Sequence, residues 1–488
     1  MMSNGNKIKT LIGLNIDDFD QLIRDQTIKC RPARLIPLIN PGKEEALTSI
    51  FLSSITLIDE FRSDIFEAIG LKNTKVQSNI RVYTEVVFPT EKDKAESRLD
   101  GLILIIRGNK IIDAAVLEMK NKNDKLDEAQ IKRYLEVAKA LKIPKLITVS
   151  NEFVSEPNQS PLINVKVPNG VGLRHLSWQF IRTLARIRLF GGGENIEDID
   201  QVHIMKEVVA YLEHDKSGVI GFSQMKSGWN AIAEMVRTQR TIQSGSPELA
   251  DTVDSWIQEE RDMALKLSCD LGTLVKTDNR KFRGDLQKRV NHDIDEFQKN
   301  KTLSSSLEVD GLASAIMIKA NFDLRTVEMS VTLDPMQAKT LKGQLGWVQR
   351  QIENREFQKK DDAEQKAILE NLSIELNFKS TRGRHRCEYS ALDSLNDDEG
   401  MRQKRISKVS VIYHEVFGRK FSAPKSFVER IEQMLPKFYK DIAQHLTNWV
   451  APAPRMPQEN KRIKEPQPYT PEGVFSSTFP KPPPTSEG

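Results

Sequence analysis

Apolar and polar positions change period several times along the chain, and each change marks an element. From Lys43 to Ile58 the residues Leu47, Ile50, Phe51 and Ile55 fall on one stripe after a Pro41-Gly42 break, the spacing of an amphipathic helix. Arg81 to Phe88 reads as a strand. After a charged loop come two apolar runs, Leu102 to Ile106 and Ile111 to Leu117, joined by Arg107-Gly108-Asn109-Lys110. Gly and Asn at that joint predict a hairpin, because both tolerate the left-handed backbone a tight turn demands. Asp127 to Leu141 returns to helical spacing, and Lys145 to Ser150 is a further strand. The order α, β, β, β, α, β predicts an α/β domain over residues 35–158, a mixed sheet flanked by helices, behind an N-terminal extension of residues 1–34.

Beyond it the pattern is mainly helical over 159–246, with helices at Ser177–Leu189 and Val202–His214 around a Gly191-Gly192-Gly193 joint. Residues 247–450 read as α+β. A helix runs from Pro247 into Leu271, strands fall at Ala313–Ala320, Thr326–Leu333 and 372–378, and helices lie near 335–355 and 425–449. From Ala451 the chain is rich in Pro and poor in aliphatic residues. Such a segment has too little apolar surface to offset its ordering entropy, so residues 451–488 are expected to be a disordered tail.

Composition narrows the class. With 72 Lys and Arg against 68 Asp and Glu, the net charge of +4 names no partner by itself. No apolar run approaches the ~20 residues of a membrane helix, and the first residues hold no apolar stretch of signal-peptide length. Cys30, Cys269 and Cys387 lie too far apart for a disulfide framework or a cysteine-rich zinc module. The expectation is a cytoplasmic protein with no membrane partner.

The chemistry concentrates between Arg98 and Tyr134. Asp100 stands at the mouth of one strand, and Glu118 and Lys120, sharing a face by the two-residue strand period, stand at the far end of the next. The hairpin brings two carboxylates and an ammonium to one sheet edge. Two hard oxygen donors suit Mg²⁺ or Mn²⁺. A bound ion of that kind activates water and neutralises charge growing on a phosphate, and the ammonium orients the attacking water.

Asp100-x17-Glu118-x-Lys120 between two apolar strands resembles the PD-(D/E)XK nuclease superfamily, with Leu99 where that pattern carries Pro. The resemblance covers residues 40 to 155, and Gln130-x3-Tyr134 on the next helix matches the branch that includes helicase-associated exonucleases. It implies a restriction-endonuclease-like fold, with Asp100, Glu118 and an upstream acid as metal ligands. It also implies Lys120 as base or water-orienting group, with Gln130 and Tyr134 steadying the site. Glu44, on the stripe of Leu47 and Phe51, is the preferred upstream acid, and Glu45 is the alternative. Simpler roles stand beside these. Gln130 completes a capping box with Asp127, and Tyr134 lies on the apolar stripe of Ile131, Leu135 and Ala138.

The hairpin sets a condition. A plain two-residue Gly108-Asn109 loop puts Asp100 opposite Leu117, facing away from Glu118. Convergence requires a three-residue Gly108-Asn109-Lys110 loop or a bulge. Two basic groups, Lys276, Arg280, Lys281 and Arg283, and Arg382, Arg384 and Arg386, are candidate phosphate contacts. The expected function is a Mg²⁺-dependent nuclease acting on nucleic acid, DNA by the resemblance, in bacterial or phage DNA processing or defence. Residues 159–450 are expected to recognise, regulate or assemble with a second copy or a protein partner. The competing expectation is a catalytically silent nuclease-like module that only binds nucleic acid.

Overall fold

The computed structural model describes residues 2–3, 7–8, 10–32, 42–72, 79–89, 98–152, 160–162, 165–191, 196–278, 280–282, 285–337, 340–379 and 383–450. The expected tail, with Arg283 and Arg382, lies outside the described residues. Residues 1–449 cluster as one unit, and a second unit begins at Val450. Among the described residues no helix is long and apolar enough to cross a membrane.

Two large sheets organise the first unit, beside a small antiparallel pair of Met2–Ser3 with Lys7–Ile8. The six-stranded sheet runs in chain order through β1 (Lys29–Pro32), β2 (Ile80–Val87), β3 (Arg98–Arg107), β4 (Lys110–Met119), β5 (Lys145–Ser150) and β6 (Gly172–Ser177). The first four pair antiparallel, and β5 and β6 add in parallel. Parallel addition requires a crossover, which α4 (Glu128–Ala140) supplies between β4 and β5. Strands β1 and β6 lie outside the expected span of 35–158, so the sheet is wider than the sequence pattern indicates.

Helices cover both faces of this sheet, which explains its unbroken apolar strands. Leu102, Leu104 and Val116 pack with Ile131, Tyr134 and Leu135 of α4 and with α1 (Ile16–Arg24). Ile103, Ile105, Leu117 and Ile147 pack against α2 (Glu44–Leu57), α3 (Asp59–Ile69), α5 (Trp178–Phe190) and α6 (Ile199–Glu213). Gly101 lets α2 come close, since a Cβ there would meet Leu52 Cδ1 at 3.1 Å and Leu117 Cβ at 3.2 Å. This close approach sets where the first turn of α2 arrives.

The seven-stranded sheet is antiparallel throughout. It is built from β7 (Lys276–Thr277), β8 (Thr302–Glu308), β9 (Ile316–Asn321), β10 (Thr326–Leu333), β11 (Leu372–Phe378), β12 (Arg384–Glu388) and β13 (Ile406–Val416), in the order β12-β11-β13-β10-β9-β8-β7. Its core holds α7 (Ser227–Arg237), α8 (Pro247–Leu271), α9 (Leu286–Asn300), α10 (Leu341–Ile352) and α11 (Pro424–Asp441). Trp229 anchors it, with Phe427 at 4.4 Å and Phe322 at 4.7 Å between ring centroids. Strands β8, β12 and β13 are absent from the sequence reading, and the expected 335–355 helix is confined to Leu341–Ile352.

One buried group gives the fold a pH response. His175 on β6 is fully buried, with Nδ1 2.8 Å from Thr148 Oγ1 and Nε2 2.9 Å from the Glu152 carbonyl. Burial pushes its pKa from 6.5 down to about 4. Between those values the unfolded chain binds a proton that the folded chain does not, so stability falls as pH drops through that window. Urea unfolding at pH 7 and pH 5 should show wild type losing about 2 kcal/mol relative to His175→Gln, the comparison that cancels the opposite contribution of the buried carboxyls.

Candidate functional site at the edge of the six-stranded sheet

The hairpin fulfils the condition that convergence imposes. Gly108 and Asn109 form a two-residue turn, with Arg107 paired to Lys110 and Ile106 to Ile111. Ile105 then pairs with Asp113, leaving Ile112 as an extra residue in β4. Such a bulge moves every later residue of the strand to the other face relative to its partner. Leu117 thus falls opposite Gly101, and one step beyond it Asp100 comes level with Glu118. The backbone across from Asp100 is distorted on the other side too: Glu85 lies between the pairs Thr84–Gly101 and Val86–Leu99 with a φ of 56°.

Four predicted side chains meet there. Asp100 Oδ2 accepts a 2.6 Å hydrogen bond from the Met119 N–H, tying the two strand ends together. Lys120 Nζ lies 2.5 Å from Glu118 Oε1 and 3.2 Å from Glu44 Oε1. Glu44, rather than Glu45, is therefore the acid of α2 that reaches the cluster. The three carboxylates do not draw one oxygen each within 4.8 Å of one another, because Lys120 stands between Glu44 and Glu118. Glu118 is fully buried, and its carboxylate adjoins that of Asp100 as well as the Lys120 ammonium.

Burial sets the electrostatics. It raises the Asp100 carboxyl well above the usual range, and the neighbouring Glu118 charge adds to the rise. Burial also raises Glu118, against the pull of Lys120. Glu44 rises through burial and the Asp100 charge. For Lys120 burial works the other way, but contact with Glu118, backed by Asp100 and Glu44, overrides it and holds the ammonium above its ordinary value. Lys120 is accordingly a committed cation, suited to donating hydrogen bonds rather than to accepting a proton.

Gln130 and Tyr134 sit over the same face. The Gln130 amide donates to Tyr134 Oη at 2.9 Å, and Tyr134 donates to the Arg98 carbonyl at 2.6 Å. Burial and the Glu118 charge push the tyrosine up to about 12. The pair pins α4 to the mouth of β3. Asp127 caps α4 by accepting from the Gln130 N–H at 2.8 Å, so Gln130 is both a capped backbone position and a side-chain link.

Two supports have no signal in the sequence. Asn121 donates from Nδ2 to the Gly42 carbonyl at 3.1 Å, fastening the loop after Lys120 to the start of α2. The Trp178 indole donates to the Lys120 carbonyl at 2.8 Å. Both partners are backbone groups distant in sequence, which spacing cannot reveal.

The expected basic contacts lie elsewhere, and acidic neighbours engage their guanidinium groups. Arg280 pairs with Asp278 at 3.0 Å and with Glu308. Arg384 pairs with Glu375 at 3.3 Å, and Arg386 with Glu328 at 2.8 Å. Lys281 lies 2.7 Å from His292 Nε2. Lys276 and Arg280 line a cavity of about 940 Å³, whose wall also carries Arg174, Asp64, Asp278 and Glu308. Its mixed charge sign does not describe a phosphate track.

Two substitutions probe the charge balance through stability alone. Without divalent metal, Asp100→Asn keeps an acceptor for Met119 and removes a carboxyl whose ionised form burial and the Glu118 charge both disfavour. It should raise unfolding stability by on the order of 1 kcal/mol. Lys120→Met strips the cation from Glu118 and should cost about 3 kcal/mol. Urea melts of the two variants moving in the same direction would contradict this electrostatic account. Comparison of the chain with protein-family models, curated proteins and solved structures gave no match.

Proposed function

We propose that the chain is a divalent-metal-dependent nuclease of the PD-(D/E)XK type, built on a restriction-endonuclease-like domain and acting on DNA. The observation that carries this reading is the bulge at Ile112, which sets Asp100 level with Glu118 when a regular hairpin would separate them. A merely structural hairpin has no need to place two carboxylates side by side, at a cost in charge repulsion, beside a lysine. The donor set suits a hard ion. Asp100 and Glu118 offer adjoining carboxylate oxygens at the end of the sheet, Glu118 from a buried position. Asp100 and Glu118 would hold Mg²⁺ or Mn²⁺, which supplies Lewis acidity and a water of lowered pKa.

The chain's own residues do the rest. Lys120, held between Glu118 and Glu44, donates to the attacking water or to a phosphate oxygen as negative charge accumulates. Glu44 fixes the direction of that ammonium by accepting from it at 3.2 Å. Tyr134 spends its hydroxyl proton on the Arg98 carbonyl and accepts from Gln130, so both are positioning residues that keep β3 and α4 in register.

One observation favours the second reading, a silent nucleic-acid-binding module: Glu44 is engaged by Lys120 instead of closing a three-carboxylate cluster. Purified protein incubated with linear, circular and single-stranded DNA, with Mg²⁺ or with EDTA, separates the two. Cleavage should require metal and should fall by about 100-fold or more in Asp100→Ala, Glu118→Ala and Lys120→Ala. Tyr134→Phe should retain measurable activity. DNA that is bound but left intact by the wild-type protein would establish the silent module, and cleavage surviving all three alanine changes would remove this site from the reaction.

A further inference from the structure

A second acidic cluster lies where α5, α8 and α11 meet. Glu259 and Asp262 occupy one face of α8, one turn apart, and Glu432 faces them from α11. One carboxylate oxygen of each lies within 4.8 Å of the other two. Lys266 Nζ is 2.7 Å from Asp262 Oδ2 and also contacts Glu432, and the Arg182 charge acts on Asp262. Glu259 is 0% exposed, and its two oxygens receive no hydrogen bond.

An independent unpartnered acceptor lies beside the Asp262 carboxylate. Gln179 of α5 is 1% exposed, and its amide oxygen also lacks a donor. A side-chain carbon built on Gly221 would meet the Asp262 carboxylate at 3.7 Å and Gln179 Oε1 at 3.9 Å. The glycine thus leaves open a small space that the amide oxygen and the carboxylate share. Buried acceptors with no donor are costly, and carboxylate and amide oxygens without His or Cys are the donor set of a hard divalent ion.

We propose that Glu259, Asp262, Glu432 and the Gln179 amide oxygen form a binding site for a hard divalent cation, separate from the Asp100–Glu118 pair. Its role is structural. The ion ties α5, which packs on the six-stranded sheet, to α8 and α11, which pack on the seven-stranded one. Lys266 is the resident competitor, occupying part of the space when no ion is bound.

The test uses full-length protein carrying Asp100→Asn and Glu118→Gln, so that the sheet-edge carboxylates take no part. Mn²⁺ titrated into this background, followed by calorimetry and by the resonance signal of free Mn²⁺, should report one site. Glu259→Gln or Glu432→Gln should weaken binding by at least ~10-fold, and Lys266→Met should strengthen it. The Glu432 side chain is 22% exposed, so Glu432→Gln keeps the test informative if the Glu259 variant does not fold. Mn²⁺ or Ca²⁺ should raise the Tm of the background and leave that of Glu432→Gln unmoved. If the background binds neither Mn²⁺, Mg²⁺ nor Ca²⁺, or binds equally well with Glu432→Gln, the proposal is overturned and Glu259 is a buried neutral acid. Because the sheet-edge pair is disabled throughout, the outcome is independent of whether the protein cuts DNA.

Discussion

A single unpaired residue, Ile112, decides the chemistry of the sheet edge. The pleat alternates side chains between faces at every step, so one extra residue in β4 moves Glu118 onto the side where Asp100 points. The hydrogen bond from the Met119 N–H to Asp100 then locks the two strand ends at the level the bulge has set. Everything else at the edge is arranged around that level. Gly101 admits α2, the start of α2 delivers Glu44, and Lys120 fills the gap between the acids.

Such an arrangement works against stability locally. Two carboxylates beside one another, one of them fully buried, repel each other and lose hydration, and a single ammonium offsets only part of that. The surrounding core carries the cost. Leu102, Ile103, Leu104 and Ile105 are all buried, and each contributes about 1.5–3 kcal/mol of transfer free energy. The sheet is covered on both faces, so its edge can hold groups that a smaller fold could not.

The helical layer serves a comparable purpose between the two sheets. Helix α8 contributes to the aromatic core around Trp229 and also meets α5 of the other sheet, where Cys269 Sγ approaches Thr183 Oγ1 at 3.7 Å. Along that contact α8 buries acidic side chains: Glu259 and Asp262 on one side, and on the other Glu260, which accepts from Arg289 at 2.8 Å. Glu260 is paired by Arg289, whereas the Glu259 oxygens receive no hydrogen bond.

Local pattern sufficed for much of this. The apolar stripe of Leu47, Ile50, Phe51 and Ile55 foretold α2, the Thr326–Leu333 alternation foretold β10, and the Asp100, Glu118 and Lys120 spacing foretold the residues of the edge, because each signal lies within one element or one hairpin. Strands β6 and β13 escaped notice since their identity comes from pairing with distant strands, His175 with Thr148 and Val411 with Ile374. The choice of Glu44 over Glu45, the tether of Asn121 to Gly42 and the pairing of the surface arginines with acidic neighbours were likewise settled by packing. Even the register at Asp100 divides this way. Sequence alone stated that a bulge or a longer loop was required, but which one formed depended on how the two helical layers seated the strands, a balance of contacts among residues far apart in the chain.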